Sequence, residues 1–188
     1  MAQSRAKEKK RAEKKARQAR RRRIKRIRAI AILSASVIVV VLGLYFWVGP
    51  GRSQPGTAVP SLGNRHIPNI NSPHIAYNSD PPTSGPHVGT LAAWGIHQIP
   101  IPNEQQVHNL EDQGVVVQYN DELDETSIAS LKEIVGGYRR LVILAPRPNM
   151  ESPIALTAWT RIQLLDNVDR RAIRRFIRAY RGLDHHSR

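Results

Sequence analysis

Five of the chain's seven histidines, His66, His74, His87, His97 and His108, fall between positions 66 and 108. Neutral imidazole is a ligand for Cu, Zn and Ni, and it carries protons near neutral pH. The chain has no cysteine, which excludes disulfides, thiolate ligands and cysteine nucleophiles. The densest polar unit is HNLED, residues 108–112. Folded as a helical turn, it puts His108 and Asp112 four apart on one face, and it offers His108 and Glu111 as a proton-transfer pair. The histidine spacing matches no local ligand pattern of the H-E-x-x-H kind.

A second unit, SDPPTSGPH, ends on His87. It reads as a shaped turn. Asp80 can cap it, Pro81 and Pro82 stiffen it, Gly85 allows a positive φ, and Pro86 restricts the exit. A turn of that rigidity would deliver His87 with little entropy left to lose. The alternative is that Asp80, Ser84 and His87 satisfy backbone groups in a long arm.

Taken together, SDPPTSGPH, a proline-rich gap, VHNLEDQGVVVQY, LAPRP and IALTAW resemble the bacterial family called domain of unknown function 3105, over roughly residues 62–182. The resemblance implies a membrane-anchored, exported domain and brings no activity with it. It marks His66, His87, His108 and position 112 as the candidate ligand set. The family motif reads H-N-L-E-H-G-G, so Asp112 and Gln113 stand here where His and Gly are expected. A fourth imidazole would then be replaced by a carboxylate, which favours a harder ion. Alternatively His97 supplies the missing ligand, with Glu111 as a further candidate, or the site is degenerate. Cu or Zn is the ion expected.

These residues need elements to hold them. Residues 50–105 contain ten of the thirteen prolines, so neither a long helix nor a central strand fits there. Their many isoleucines, with Tyr77 and Trp94, suit an irregular arm wrapped over a core. Further on, GVVVQY (114–119) and LVILAP (141–146) read as buried strands. Between them, DELDETSIASLKEIVGGY reads as a helix with acidic residues at its start. The alternating run from Ile154 to Leu165 predicts one long strand, and residues 168–181 predict a helix with Ile173, Phe176, Ile177 and Tyr180 inward. The expected fold is a small α+β domain of order β-α-β-β-α, with two helices on one face of a sheet of at least three strands.

The formal net charge is +14, but residues 1–28 carry 15 Lys/Arg against 2 Asp/Glu, and the remainder is close to neutral. Ala29 to Val48 is then twenty residues without a charge, about the length that crosses a bilayer. Tyr45, Phe46 and Trp47 sit where an aromatic belt would lie, and Arg20, Arg21, Arg22, Arg23, Lys25, Arg26 and Arg28 flank the near side. The positive-inside rule keeps that flank in the cytoplasm, against anionic lipid, and exports residues 50–188. No aromatic is interleaved with these charges, which argues against nucleic acid as the tail's partner. The expected organisation is a basic tail (1–28), a transmembrane helix (29–48), a proline/glycine stalk (49–61), an exported domain (62–183) and a short tail (184–188).

Three function classes fit. The first is an envelope-anchored module binding a metal ion or small ligand through the histidine-bearing arm. The second is an interaction or structural module of the cell envelope with a protein partner and no metal. The third is an enzyme using His108 and Glu111, although no nucleophile elbow or phosphate loop accompanies the pair.

Overall fold

The computed structural model of the chain describes residues 54–183, together with residues 33, 36–41 and 43 ahead of them. The basic tail with Arg20–Arg23, Lys25, Arg26 and Arg28, most of the expected span, and residues 184–188 lie outside the described residues. Residues 36–41 are helical, with Val37, Ile38, Val39, Val40 and Val41 exposed. Among the described residues, no helix is long and apolar enough to cross a membrane.

Residues 54–183 form a mixed α+β domain. Four strands of two residues each come first: β1 (Thr57–Ala58), β2 (His66–Ile67), β3 (His87–Val88) and β4 (Gly95–Ile96). Helix α1 (Asn103–Glu111) comes next, then β5 (Val115–Tyr119), α2 (Glu125–Gly136), β6 (Val142–Pro146), β7 (Ile154–Ala158), β8 (Arg161–Leu165) and α3 (Arg170–Tyr180). The main sheet has the order β1-β8-β7-β5-β6-β4, and β2 and β3 form a separate parallel pair.

The valines of β5 explain the centre of this sheet. Val115 and Val117 face one side, where Leu131, Ile134 and Val135 of α2 and Ile173, Phe176, Ile177 and Tyr180 of α3 cover them. Val116 faces the other side with Ile143 and Ala145, beneath Leu110 of α1 and Ala92, Trp94 and Ile101 of the preceding segment. Because both faces are covered, β5 and β6 read as continuous apolar runs rather than alternating ones. Asp124 caps α2 through Ser127 N, and Asp169 caps α3 through Arg171 N and Ala172 N. Each cap satisfies donors that a helix start leaves unpaired.

Three expectations need correction. The run 154–165 is not one strand but a hairpin: β7 and β8 pair antiparallel, with Ala158 opposite Arg161. Its two-residue turn is Trp159-Thr160, with Thr160 at φ 56°. A turn without Gly, Pro, Asn or Asp leaves no mark on an alternating pattern. The expected stalk overlaps the domain, since β1 pairs with β8 and the Tyr180 hydroxyl donates to Pro55 O at 2.6 Å. Finally, a third helix, α1, covers the face opposite α2 and α3. Its buried side carries Gln106, Asn109 and Glu111 beside Val107 and Leu110, so its apolar periodicity is faint.

The arm runs from one edge of the main sheet to the other. It starts as edge strand β1 beside β8 and ends as edge strand β4 beside β6. Between these edges it carries β2 and β3.

Candidate metal centre

The β2–β3 ladder sets His66 directly opposite His87. Neighbouring strands lie about 4.8 Å apart, and the two imidazole centroids lie 4.7 Å apart, edge to face. His108 and Glu111 arrive from α1, three apart on its last turn. Their ring and carboxylate meet the ladder pair: His66 and His108 centroids are 5.2 Å apart, and His87 and His108 centroids 5.1 Å.

Glu111 Oε2 is the centre of the group. It lies 2.9 Å from His87 Nε2, 3.7 Å from His108 Nδ1 and 3.9 Å from His66 Nε2. One donor atom from each of the four residues lies within 4.8 Å of all the others. Four atoms around a Zn-sized ion at ~2.0–2.1 Å would be roughly 3.3 Å apart. The observed group straddles that value, so the three histidines and Glu111 could hold a metal ion.

The protonation pattern fits such an ion. His87 Nδ1 must donate to Gly85 O, 2.8 Å away, because a carbonyl only accepts. In the neutral ring, Nε2 is then a lone pair aimed at a carboxylate oxygen. Two acceptors at 2.9 Å require a proton or a cation between them. His108 Nδ1 is buried without a hydrogen-bond partner. Burial lowers the His108 pKa below its ordinary value, with the charges of His87 and His66 acting in the same direction, while Asp112 and then Glu111 oppose them. A lowered pKa favours the neutral imidazole, and a buried imidazole nitrogen without a hydrogen-bond partner suits ligation of an ion.

The supporting shell is dense. Residues 81–88 are all buried. Gly85 has φ 121°, and a Cβ there would crowd the Tyr77 ring at 3.2 Å and Leu62 at 3.3 Å. Tyr77 donates its hydroxyl to Pro86 O at 2.6 Å, and burial together with the Glu104 charge raises its pKa. Ser84 Oγ accepts from Leu62 N at 3.0 Å, and His87 N donates to Arg65 O at 3.0 Å. Pro81 follows Asp80 through a cis bond, with Pro82 behind it. Trp159 sets its ring edge-on to His87 at 6.4 Å.

Asp80 does not cap the turn as expected. It accepts from Arg147 through both Nε and Nη2, and Arg147 Nη1 donates to Asn103 Oδ1 at 2.8 Å. The guanidinium of LAPRP thus ties the loop that carries His87 to the start of the helix that carries His108. Asn109 is a second tie. Its side chain accepts from Ala92 N and donates to Ala92 O, both at 2.9 Å, pinning the arm on α1. Neither role is legible in the sequence. The only hint there is that Arg147 lies in LAPRP and Asn109 in VHNLED.

Asp112 stands outside the four-residue group, and Glu111 supplies its carboxylate. Asp112 is the C-cap of α1, already off helical geometry at ψ 39°, so a face drawn from ideal helix spacing no longer applies to it. His97 is also elsewhere: its Nε2 bonds Ala93 O at 2.7 Å. Just past the cap, Gln113 takes φ 70° and Gly114 N donates to Asn109 O at 2.9 Å, a closure that usually has Gly at the left-handed position.

The chain matches the family described as a protein of unknown function (DUF3105) over residues 70–187, and it belongs to that family. His87, His108 and Glu111 lie inside the matched span, and His66 lies four residues ahead of it. No curated protein and no solved structure matches the chain.

Proposed function

We propose that this chain is a membrane-anchored, extracytoplasmic metal-binding protein that takes one Zn²⁺ or Cu²⁺ through His66, His87, His108 and Glu111. The observation that carries the reading is the convergence of His87 Nε2 on Glu111 Oε2 at 2.9 Å beside His108 Nδ1, which is buried without a hydrogen-bond partner. A divalent cation satisfies all three at once. Three imidazoles and one carboxylate suit Zn, with Cu next in line.

The test is metal uptake by the purified full chain. About one ion per chain is expected, and His87→Ala and His108→Ala should each abolish uptake. His97→Ala and Asp112→Ala should leave it intact. Uptake should weaken as pH falls through ~6.5, where imidazole protonates. A chain that takes up no ion at neutral pH would refute the reading.

The anchor and its orientation rest on the uncharged run 29–48 and the basic flank before it, and the exposed apolar side chains of residues 36–41 support them. Anionic lipid at the basic tail is the partner proposed. An alkaline-phosphatase fusion at the C-terminus should be active and one at the N-terminus inactive. The reverse pattern would overturn the exported placement. A second reading, an envelope interaction module without metal, draws on the exposed Ile75, Ile96 and Ile99. It is the one left standing if metal leaves the melting temperature unchanged.

A further inference from the structure

The four ligands are held very unequally. The side chains of His87, Glu111 and His108 are 0%, 2% and 12% exposed, whereas that of His66 is 58% exposed. His87 is fixed by its backbone bond to Arg65 O and its ring bond to Gly85 O. His108 and Glu111 ride on a helix that Asn109 clamps to the arm. His66 sits on a two-residue strand paired on one side only, and among the described residues its ring makes no hydrogen bond. A ligating imidazole is ordinarily oriented by a bond from its other ring nitrogen, and His66 lacks one. Of the three histidine nitrogens that face Glu111 Oε2, its Nε2 lies farthest, at 3.9 Å.

Resting on the metal reading, we propose that the fourth coordination position is exchangeable. His87, His108 and Glu111 form a fixed three-ligand platform, and His66 closes it from the solvent side. When the His66 ring swings out, a small monodentate base such as water, azide or imidazole takes its place on the ion. Closed four-ligand sites serve structure, whereas three protein ligands with an open position serve chemistry or transfer. Metal enters and leaves past His66.

The test uses the full chain in detergent, loaded with Co²⁺ as a coloured stand-in for Zn²⁺. His66→Ala should still bind about one ion per chain, while His87→Ala binds none. A chelator should strip His66→Ala about tenfold faster than wild type, since losing even an outer-shell partner of a ligand costs about 10–100-fold in affinity. Azide should shift the visible band of His66→Ala at lower concentration than that of wild type. Added imidazole should slow stripping of His66→Gly, which a purely structural role would not produce. Because His66 is exposed, both variants should keep the wild-type circular dichroism. The proposal is overturned if His66→Ala loses its ion as completely as His87→Ala, or if it is stripped at the wild-type rate. A wild type that binds no Co²⁺, Zn²⁺ or Cu²⁺ removes the metal reading itself, and this proposal with it.

Discussion

The arm, residues 54–102, and the sheet-and-helix part, residues 103–183, are held by different means. In the second part, backbone pairs with backbone along β5, β6, β7 and β8, and two apolar layers close over the sheet. In the arm, side chains satisfy much of the backbone. Ser84 bonds Leu62 N, Asn78 bonds Pro60 O, Tyr77 bonds Pro86 O, and Asn109 bonds both polar groups of Ala92. The arm has no apolar core of its own. It borrows the second face of the sheet through Ala92, Trp94 and Ile101. Its order therefore depends on the sheet, and two of the four metal-site residues come from each part.

The harshest test of that dependence is Phe176→Ala. This ring is fully buried between α3 and the sheet, so its removal should lower unfolding free energy by about 3–5 kcal/mol, measured by denaturant titration. The arm should be lost in the same transition, and arm signals that melt separately would break the comparison. Next in size is the metal. Free ion at about a hundred times its dissociation constant should stabilise the native state by about 2.7 kcal/mol. Hydrogen exchange should slow at residues 66–67, 87–88 and 108–111 more than at 142–144. Equal slowing everywhere would mean the arm is no looser than the sheet.

Asn109→Ala removes the clamp and leaves the buried groups of Ala92 without it. A loss of about 2 kcal/mol is expected, accompanied by weaker metal binding, because the clamp joins arm to helix. A stability loss without any change in metal affinity would show that the clamp does not position the site. The smallest effect belongs to Gln113→Gly. Gln113 occupies a left-handed position at φ 70°, where glycine is free of the Cβ penalty but gains chain entropy on unfolding. A rise of about 0.5–1 kcal/mol in stability is expected. A fall would mean that the Gln113 side chain makes a contact worth more than the strain.

The regular part was largely legible. The valine run of β5, the acidic start of α2 and the inward stripe Ile173, Phe176, Ile177 and Tyr180 of α3 are all where periodicity put them. The hairpin at Trp159-Thr160 was not, because alternation continues in phase across a two-residue turn. Helix α1 shows in the sequence only as the single turn HNLED, since Gln106, Asn109 and Glu111 share its buried face with Val107 and Leu110. In the site, the family resemblance marks His66, His87, His108 and position 112, with Glu111 as a further candidate, and the structure brings Glu111 rather than Asp112 to the histidines.

What the sequence determined by itself is the supply of chemistry: imidazoles without thiols, a stiff loop ending on His87, and an uncharged run behind a basic flank. These depend on residue type and local order alone. Which groups meet was decided only by the tertiary structure. The 2.9 Å contact of His87 with Glu111 joins residues 24 apart, and the His66–His87 register joins two strands separated by a loop. No local periodicity encodes such meetings. They arise from how an arm without its own core settles on a sheet, and from where helix α1 ends, which decides that Glu111 faces the histidines and Asp112 does not.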